Sequence, residues 1–442
     1  MKKIIAMLLA LVMVFALVAC SNTDKPDDEK TPDETPAVTD TQKPEDETPA
    51  PDETPAVQLD TENPVVIGHI ADLTGAEALT GAEAKRAIDF AVKYIESMGG
   101  IDGRAIKVVH EDAKSETSEA AAAVGKLVEF DKVDCIVGPT LVPHKGAVSN
   151  VAKNMGVPVV FYNPTPTGMI MGNDWAIGAS GANAQMPTAM ADYVYKTLGY
   201  DKVYTLTKDD TGGKSYMDPF TANFTAMGGT VLGQEWVPSP TPDFMPYMAK
   251  FTDKEADALV AWTSSADALA FWKAWYDSGL NEWLPVVGTM HGAFTDSFIC
   301  DALNGQGYGD VVEQIMESTV VPMTWAYNID TPENKAFCEA WEAEFNEVPI
   351  GNNLPGAATQ VMLMIKEAYE SIEGEVTREA LRDALLAVDM TGPEGRTVFA
   401  DGTNAAVKDV YIVKVVKLDN GQYNYEQVAK YPDVGCNGLT VG

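Results

Sequence analysis

Histidine is scarce in this 442-residue sequence, with four copies. His110-Glu111 opens like a helical zinc-protease motif, in which two histidines on one face hold the metal and the glutamate activates water. The second histidine would have to stand at 114, and Lys114 stands there. No Gly-x-Ser-x-Gly elbow presents a nucleophilic serine. Val137-Gly138-Pro139 lacks the glycines of a dinucleotide-binding turn. Asp401-Gly402-Thr403-Asn404 lacks the ligand spacing and distal glutamate of a calcium loop and reads as a plain turn. Of five cysteines, none forms a C-x-x-C pair, so a metal knuckle is not expected. Cys135 sits in an apolar run and reads as a buried thiol, while Cys300 and Cys338 could pair in an oxidising compartment. The chemistry open to such a sequence is recognition rather than catalysis, with no cofactor and no metal.

The first residues indicate export. Met1-Lys2-Lys3 is a short positive start, Ile4 to Ala19 is unbroken apolar chain, and Cys20 follows. The run is shorter than the ~20 residues a membrane helix needs, so it reads as a signal peptide. Leu17-Val18-Ala19-Cys20 resembles the lipobox of bacterial lipoproteins, which implies cleavage before Cys20 and a lipid on its sulfur. From Ser21 to Asn63 the chain carries 7 Pro and 14 Asp or Glu against 3 Lys, with Pro-Asp-Glu-Thr-Pro-Ala at 32–37 and again at 51–56. Such a segment cannot bury enough surface to offset its chain entropy and reads as an extended tether. The formal charge of −34 excludes a nucleic-acid partner, which would want the reverse balance.

The remainder, 64–442, is too long for one ordinary core and suits two lobes. Short apolar runs alternate with helical patterns. Val65–Ile70, Ile106–His110, Cys135–Val137 and Val157–Phe161 read as strands. Ala84–Ile95, Ala120–Val128 and Val148–Met155 read as the helices between them. A second series places strands at Lys202–Thr207, Thr230–Trp236, Leu259–Trp262 and Pro285–Gly288. Its helices are Met217–Met227, Phe244–Phe251 and Ala266–Ser278. Strand–helix alternation with continuously apolar strands predicts parallel sheets covered on both faces, here two α/β lobes. Ligands in such lobes sit outside the carboxyl ends of the strands, where helix N-termini point.

Five strings then agree in order and spacing. Ile67 to Gly75 resembles the opening of the leucine/isoleucine/valine-binding proteins. Gly99-Gly100-Ile101-Asp102-Gly103-Arg104 resembles their next turn, and Asp112 with Ala120–Leu127 their second helix. Val137-Gly138-Pro139 and Gly156-Val157-Pro158 match two further strings. The sequence from about 64 to 415 is thus similar to type I periplasmic binding proteins. The resemblance implies two Rossmann-like lobes joined by three crossovers, near 184, 318 and 395. Lobe 1 would comprise 64–184 and 318–395, lobe 2 185–317 and 396–442. It further implies a monomeric lipoprotein outside the cell membrane, tethered through Cys20. Its lobes would close on an amino-acid-like ligand for an ABC permease with ATPase subunits.

The same resemblance implies a set of ligand contacts. After Val137-Gly138-Pro139 the family's serine pair falls on Leu141 and Val142, leaving backbone N–H groups, Pro143 and His144. In the next loop Thr165 falls on the residue that commonly holds the ligand amino group, with Tyr162 and Asn163 nearby. Thr80 lines the first-lobe wall. In the second lobe Asp210 and Thr211 belong to a loop whose usual second aromatic is replaced by Gly212. Thr263, Ser264 and His291 follow strands, and Trp325 and Tyr327 follow the return crossover as replacement aromatic walls. These departures leave open a branched-chain or related amino acid, an aromatic acid, an amide or a nucleoside. A sensor for a membrane receptor would use the same clamp.

Overall fold

The computed structural model describes residues 58–289, 295, 297–349, 354–400 and 402–436. Cys20, the signal peptide, the tether up to residue 57, His291 and Asp401 lie outside the described residues. Among the described residues no helix is long and apolar enough to cross a membrane.

The first series of the chain is β1 (Asp60–Ala71), α1 (Ala78–Ser97), β2 (Arg104–Asp112), α2 (Thr117–Glu129), β3 (Cys135–Val137), α3 (Val142–Met155), β4 (Val159–Phe161) and β5 (Ala176–Gly178). Its strands form one sheet in the order β2-β1-β3-β4-β5, parallel throughout. Val65, Ile67, Val137 and Val160 pack on one face against α1, while Ile70, Ile136, Val159 and Phe161 pack on the other against α2 and α3. This two-sided burial is why the strands read as continuous apolar runs. β1 begins at Asp60, inside the segment that composition assigns to the tether. Its first backbone N–H donates to Gly103 O at 2.9 Å, so strand pairing extends past the acidic stretch.

The second series is α4 (Gln185–Asp192), β6 (Lys202–Lys208), α5 (Thr211–Ala226), β7 (Thr230–Val237), β8 (Ala258–Trp262), α6 (Ser265–Asp277), β9 (Val286–Thr289), α7 (Ser297–Gly305), α8 (Gly309–Ser318) and β10 (Val320–Met323). The chain continues as α9 (Pro332–Phe345), α10 (Leu354–Glu370), α11 (Arg378–Leu386), β11 (Asp389–Gly392), β12 (Gly395–Phe399), β13 (Ala406–Lys417) and β14 (Tyr423–Val434). The second sheet runs β11-β12-β13-β10-β9-β8-β6-β7, with β14 on β13. β7, β6, β8, β9 and β10 are parallel, whereas β11 to β14 pair antiparallel. The antiparallel extension departs from the wholly parallel expectation, because hairpins rather than helices link the last four strands. α10 and α11 return to the first sheet, where Leu354, Val361, Ile365 and Leu381 join its core.

Two helices differ from their sequence reading in instructive ways. α5 starts six residues early, at Thr211, capped by Asp210 Oδ1, which accepts from Gly213 N at 2.8 Å. Gly212-Gly213 masked this turn in the sequence, yet Gly213 is required there. A Cβ on it would lie 1.9 Å from Lys208 O. The run from 244 to 251 forms only a single turn, Met245–Met248. Phe244, Met248 and Phe251 bury their side chains, and Tyr204 Oη then accepts from Asp253 N at 2.9 Å, pulling the chain out of the helix.

The loops after β5 and β10 meet the β11–β12 turn at one buried carboxylate. Glu394, between β11 and β12, accepts from Ser180 Oγ at 3.0 Å, just past β5, and from Thr324 Oγ1 at 2.7 Å, just past β10. Lys408 of β13 lies 3.2 Å from the same carboxylate, and both side chains are fully buried. Lys408 also donates to Thr397 Oγ1 at 3.1 Å, and Gln360 Oε1 accepts from Glu394 N at 3.1 Å. Fully satisfied buried networks of this kind impose one arrangement on the strands that carry them.

Candidate ligand site

Strand ends from both sheets wall one cavity of about 570 Å³ of empty space, lined by Glu77, Thr80, Thr140, Leu141, Val142, Asn163, Pro164, Asn183, Lys208, Tyr216, Trp262, Thr263 and Ser264. Glu77 and Thr80 come from the start of α1. Residues 140–142 follow β3 and open α3, and 163–164 follow β4. Lys208 ends β6, Trp262 ends β8, and Thr263 and Ser264 lead into α6. Two close approaches hold this floor together. A Cβ at Gly81 would lie 2.0 Å from Asp72 O. Gly138, at φ +80°, turns the chain out of β3 where a Cβ would meet Ile70 O at 2.5 Å.

The lining carries charges of both signs. Burial raises the Glu77 carboxyl above its ordinary value, while the Lys208 ammonium pulls it back down. Lys208 lies 3.1 Å from Asp210 and 4.7 Å from the centre of the Trp262 ring. Trp262 and Tyr216 form an aromatic wall, their centroids 4.7 Å apart. Burial pushes the Tyr216 hydroxyl well above the usual tyrosine range. The α3 N-terminus has no side-chain cap, so its first N–H groups keep their partial positive charge. Three buried polar atoms of the lining have no partner among the described residues: Trp262 Nε1, Asn163 Oδ1 and Asn183 Oδ1. An unpaired buried polar atom costs ~1–3 kcal/mol, which a ligand carrying matching donors and acceptors would recover.

Of the residues read from sequence, Thr80, Asn163, Thr263 and Ser264 line this cavity. Thr263 Oγ1 donates to Ser264 O at 3.2 Å, and Ser264 Oγ donates to Asp267 Oδ2 at 2.9 Å. The others among the described residues stand apart from the lining. Pro143 is exposed in the first turn of α3. His144 is buried, with Nδ1 3.3 Å from Asp72 Oδ1 but out of line for a hydrogen bond. Thr165 is fully buried beneath the cavity, where its hydroxyl donates to Asn163 O at 3.2 Å and accepts from Lys145 Nζ at 3.1 Å. Lys145, also fully buried, donates to Asn163 O and Pro164 O at 3.0 and 2.8 Å. Burial pulls its ammonium well below the usual lysine range. Thr165 therefore shapes the loop that carries Asn163 rather than facing the space. Tyr162 is buried just past β4, bonded to His69 and Thr140.

In the second lobe, Asp210 caps α5 and pairs with Lys208, and Thr211 lines a neighbouring opening that shares Asn183. Trp325 lies in the second core, its Nε1 donating to Asn334 Oδ1 at 2.8 Å. Gly356 makes room for that ring: a Cβ there would approach it to 2.6 Å. Tyr327 packs half-buried against the same core. Cys135 is a buried thiol as read, while Cys300 and Cys338 are thiols rather than a bridge. Among the described residues no group of acidic, histidine or cysteine side chains could hold a metal. The sequence reading passed over Glu77, Lys208, Tyr216 and Trp262 as ligand residues. The signal available was the end of each strand: Lys208 and Trp262 are the final residues of β6 and β8, where such sites form.

A family model described as periplasmic binding protein matches residues 64–422. The chain is 25% identical over 379 residues to a Leu/Ile/Val-binding protein homolog 6 of Brucella suis biovar 1 (strain 1330), covering 85% of this chain and 93% of that protein. An ABC transporter substrate-binding protein from Sphaerobacter thermophilus superposes with a TM-score of 0.75 at 27% identity, covering 85% of this chain and 100% of that one. A solute binding protein from R. palustris, solved with 4-hydroxybenzoate, gives 0.75 at 23% identity over 85% and 99% of the two chains. The branched-chain amino acid transporter substrate binding protein LivJ from Streptococcus pneumoniae, solved with isoleucine, gives 0.69 at 23% over 83% and 100%.

Proposed function

Because the chain belongs to the periplasmic binding protein family and has its type I, two-lobed fold, we propose that it captures a small zwitterionic, amino-acid-like solute between its lobes. It delivers that solute to an ABC permease and performs no reaction on it. The observation that carries this reading is the paired charge of the cavity. Glu77 on the first lobe offers a carboxylate for an ammonium group. Lys208, Trp262 Nε1 and the uncapped α3 N-terminus offer donors for a carboxylate. Asn163 Oδ1 and Asn183 Oδ1 add acceptors for further ligand donors. Lipidation at Cys20 and the acidic tether fit a protein held at the outer face of the cell membrane.

The Tyr216–Trp262 wall favours one second reading, an aromatic carboxylate such as the 4-hydroxybenzoate bound by the R. palustris relative. Thermal unfolding against a panel of amino acids, aromatic acids, amides and nucleosides separates the two. A ligand at a hundredfold excess over its dissociation constant adds ~2.7 kcal/mol of stability. Stabilisation by an α-amino acid supports the zwitterion reading. Stabilisation by aromatic acids alone replaces it, and silence across the panel removes both.

A further inference from the structure

A continuous line of side chains runs from the surface of the first lobe to the cavity. Asp89 Oδ1 on α1 lies 2.9 Å from His110 Nε2 on β2. His110 Nδ1 lies 2.8 Å from His69 Nδ1 on β1. His69 Nε2 lies 3.2 Å from Tyr162 Oη, which lies 3.3 Å from Thr140 Oγ1. His69 and Tyr162 are fully buried, and Thr140 lines the cavity.

Counting protons gives this line a direction. A carboxylate only accepts, so His110 Nε2 carries a hydrogen, and in neutral His110 Nδ1 is then a lone pair. The contact of two Nδ1 atoms therefore requires His69 to supply the hydrogen from its own Nδ1. His69 Nε2 is then a lone pair and accepts the single hydroxyl hydrogen of Tyr162. Tyr162 in turn can only accept from Thr140. The Thr140 hydroxyl, with its hydrogen turned away to Tyr162, offers nothing but lone pairs to the cavity.

We propose that the His69–His110 pair makes Thr140 a specificity-determining acceptor, selecting a hydrogen-bond donor on the ligand, and that one added proton reverses this character. With the proton on His110, both its nitrogens donate. His69 then carries its hydrogen on Nε2, the Tyr162 hydroxyl turns to Thr140, and the Thr140 hydrogen is free to face the cavity. The pair gains one proton and the hydroxyls only rotate. The groups that face it are Lys85 and Asp89 from α1 and Tyr162 from beyond β4, with Asp72 from beyond β1 acting on Tyr162. Burial holds both histidines below their ordinary values, helped at His69 by His110 and Lys85 and opposed at His110 by Asp89, which keeps the acceptor state in place at neutral pH. The consequence for the ligand rests on the cavity being the binding site proposed above; the proton ordering does not.

The ordering is tested on the ligand-free protein by nitrogen-15 spectra of the histidine rings. Expected at pH 7.5 are the Nδ1–H tautomer for His69 and Nε2–H for His110. His69 should change to Nε2–H over the same acid transition that charges His110. A His69 ring that is Nε2–H at neutral pH, or one that keeps its tautomer while His110 titrates, overturns the proposal. The ligand arm compares L-isoleucine with (S)-3-methylpentanoate, the same carbon skeleton without the ammonium group. Thr140→Val should weaken isoleucine binding about tenfold, the worth of one bond to a charged donor, and Thr140→Ser should restore it. The analogue should be indifferent to both. Equal losses for the two compounds contradict the selection. If isoleucine does not bind, the same comparison is made with the α-amino acid that stabilises the protein in the panel and its deamino analogue; if none does, the amino-acid reading is refuted and the tautomers decide the role of the pair.

Discussion

Replacing Glu394 by Gln removes one charge from the carboxylate where the loops after β5 and β10 meet the β11–β12 turn. Lys408 then stays fully buried 3.2 Å from a neutral amide. At an effective dielectric of 20, the attraction lost at that distance is about 5 kcal/mol. Breaking one side of a buried pair costs ~3–5 kcal/mol in practice, because the remaining ion is left without compensation. The amide also points donors at Ser180 or Thr324, each of which donates to the native carboxylate. At roughly 2 °C per kcal/mol for a domain of this size, the melting temperature should fall by about 6–10 °C. Thermal unfolding followed by calorimetry reads this directly. Replacing Lys408 by Met as well removes the stranded ion, and the double variant should recover most of the loss. A Glu394→Gln protein that melts with the parent would refute the reasoning. So would a double variant no more stable than the single one, since the cost would then not lie in the stranded charge.

Three further outcomes follow from the same structure. Gly81→Ala places a Cβ 2.0 Å from Asp72 O and should cost ~1–3 kcal/mol in urea unfolding, whereas Gly125→Ala on α2, where a Cβ meets nothing within 4 Å, should lose no stability. His69 and His110 are held below their ordinary values, chiefly by burial, so the unfolded chain binds protons that the folded chain refuses. Their contribution is fully present above about pH 6.5 and is lost as pH falls, by up to ~1.4 kcal/mol per pH unit for each histidine. Urea midpoints at pH 8 and 5.5 should differ accordingly, and a flat profile would contradict the buried pair. Lys208→Met and Glu77→Gln should each weaken a zwitterionic ligand by about tenfold or more in calorimetric titration. An unchanged affinity in both would remove the charge pairing as the basis of recognition.

Much of the architecture was legible because its physics is local. Strands buried on both faces leave apolar runs, and β1, β2, β3, β6 and β8 stand where those runs placed them. The start of α5 was hidden because Gly212-Gly213 answers to a clash with Lys208 O, a contact made only in the folded chain. β11, β12 and β14 were missed because antiparallel hairpins near a chain end share no period with the preceding units, whereas the apolar run Val410–Val416 marked β13. In the cavity, Thr80, Asn163, Thr263 and Ser264 came from strand ends and from likeness to the leucine/isoleucine/valine-binding proteins. Glu77 and Lys208 did not, since a charge at a helix start or a strand end looks like any solvated charge until the other lobe faces it. Thr165 and Trp325 looked equally functional in sequence. Lys145 beneath one and Gly356 beside the other assign them to packing, and neither neighbour could be paired with them from spacing alone.

The central claim is that one ligand touches both lobes at once. Amide hydrogen exchange, with and without the best ligand from the panel, tests this most directly. The account predicts added protection in 77–81, 140–142 and 163–164 of the first lobe together with 208–216 and 262–264 of the second. Protection confined to one lobe, or centred away from these segments, would contradict it.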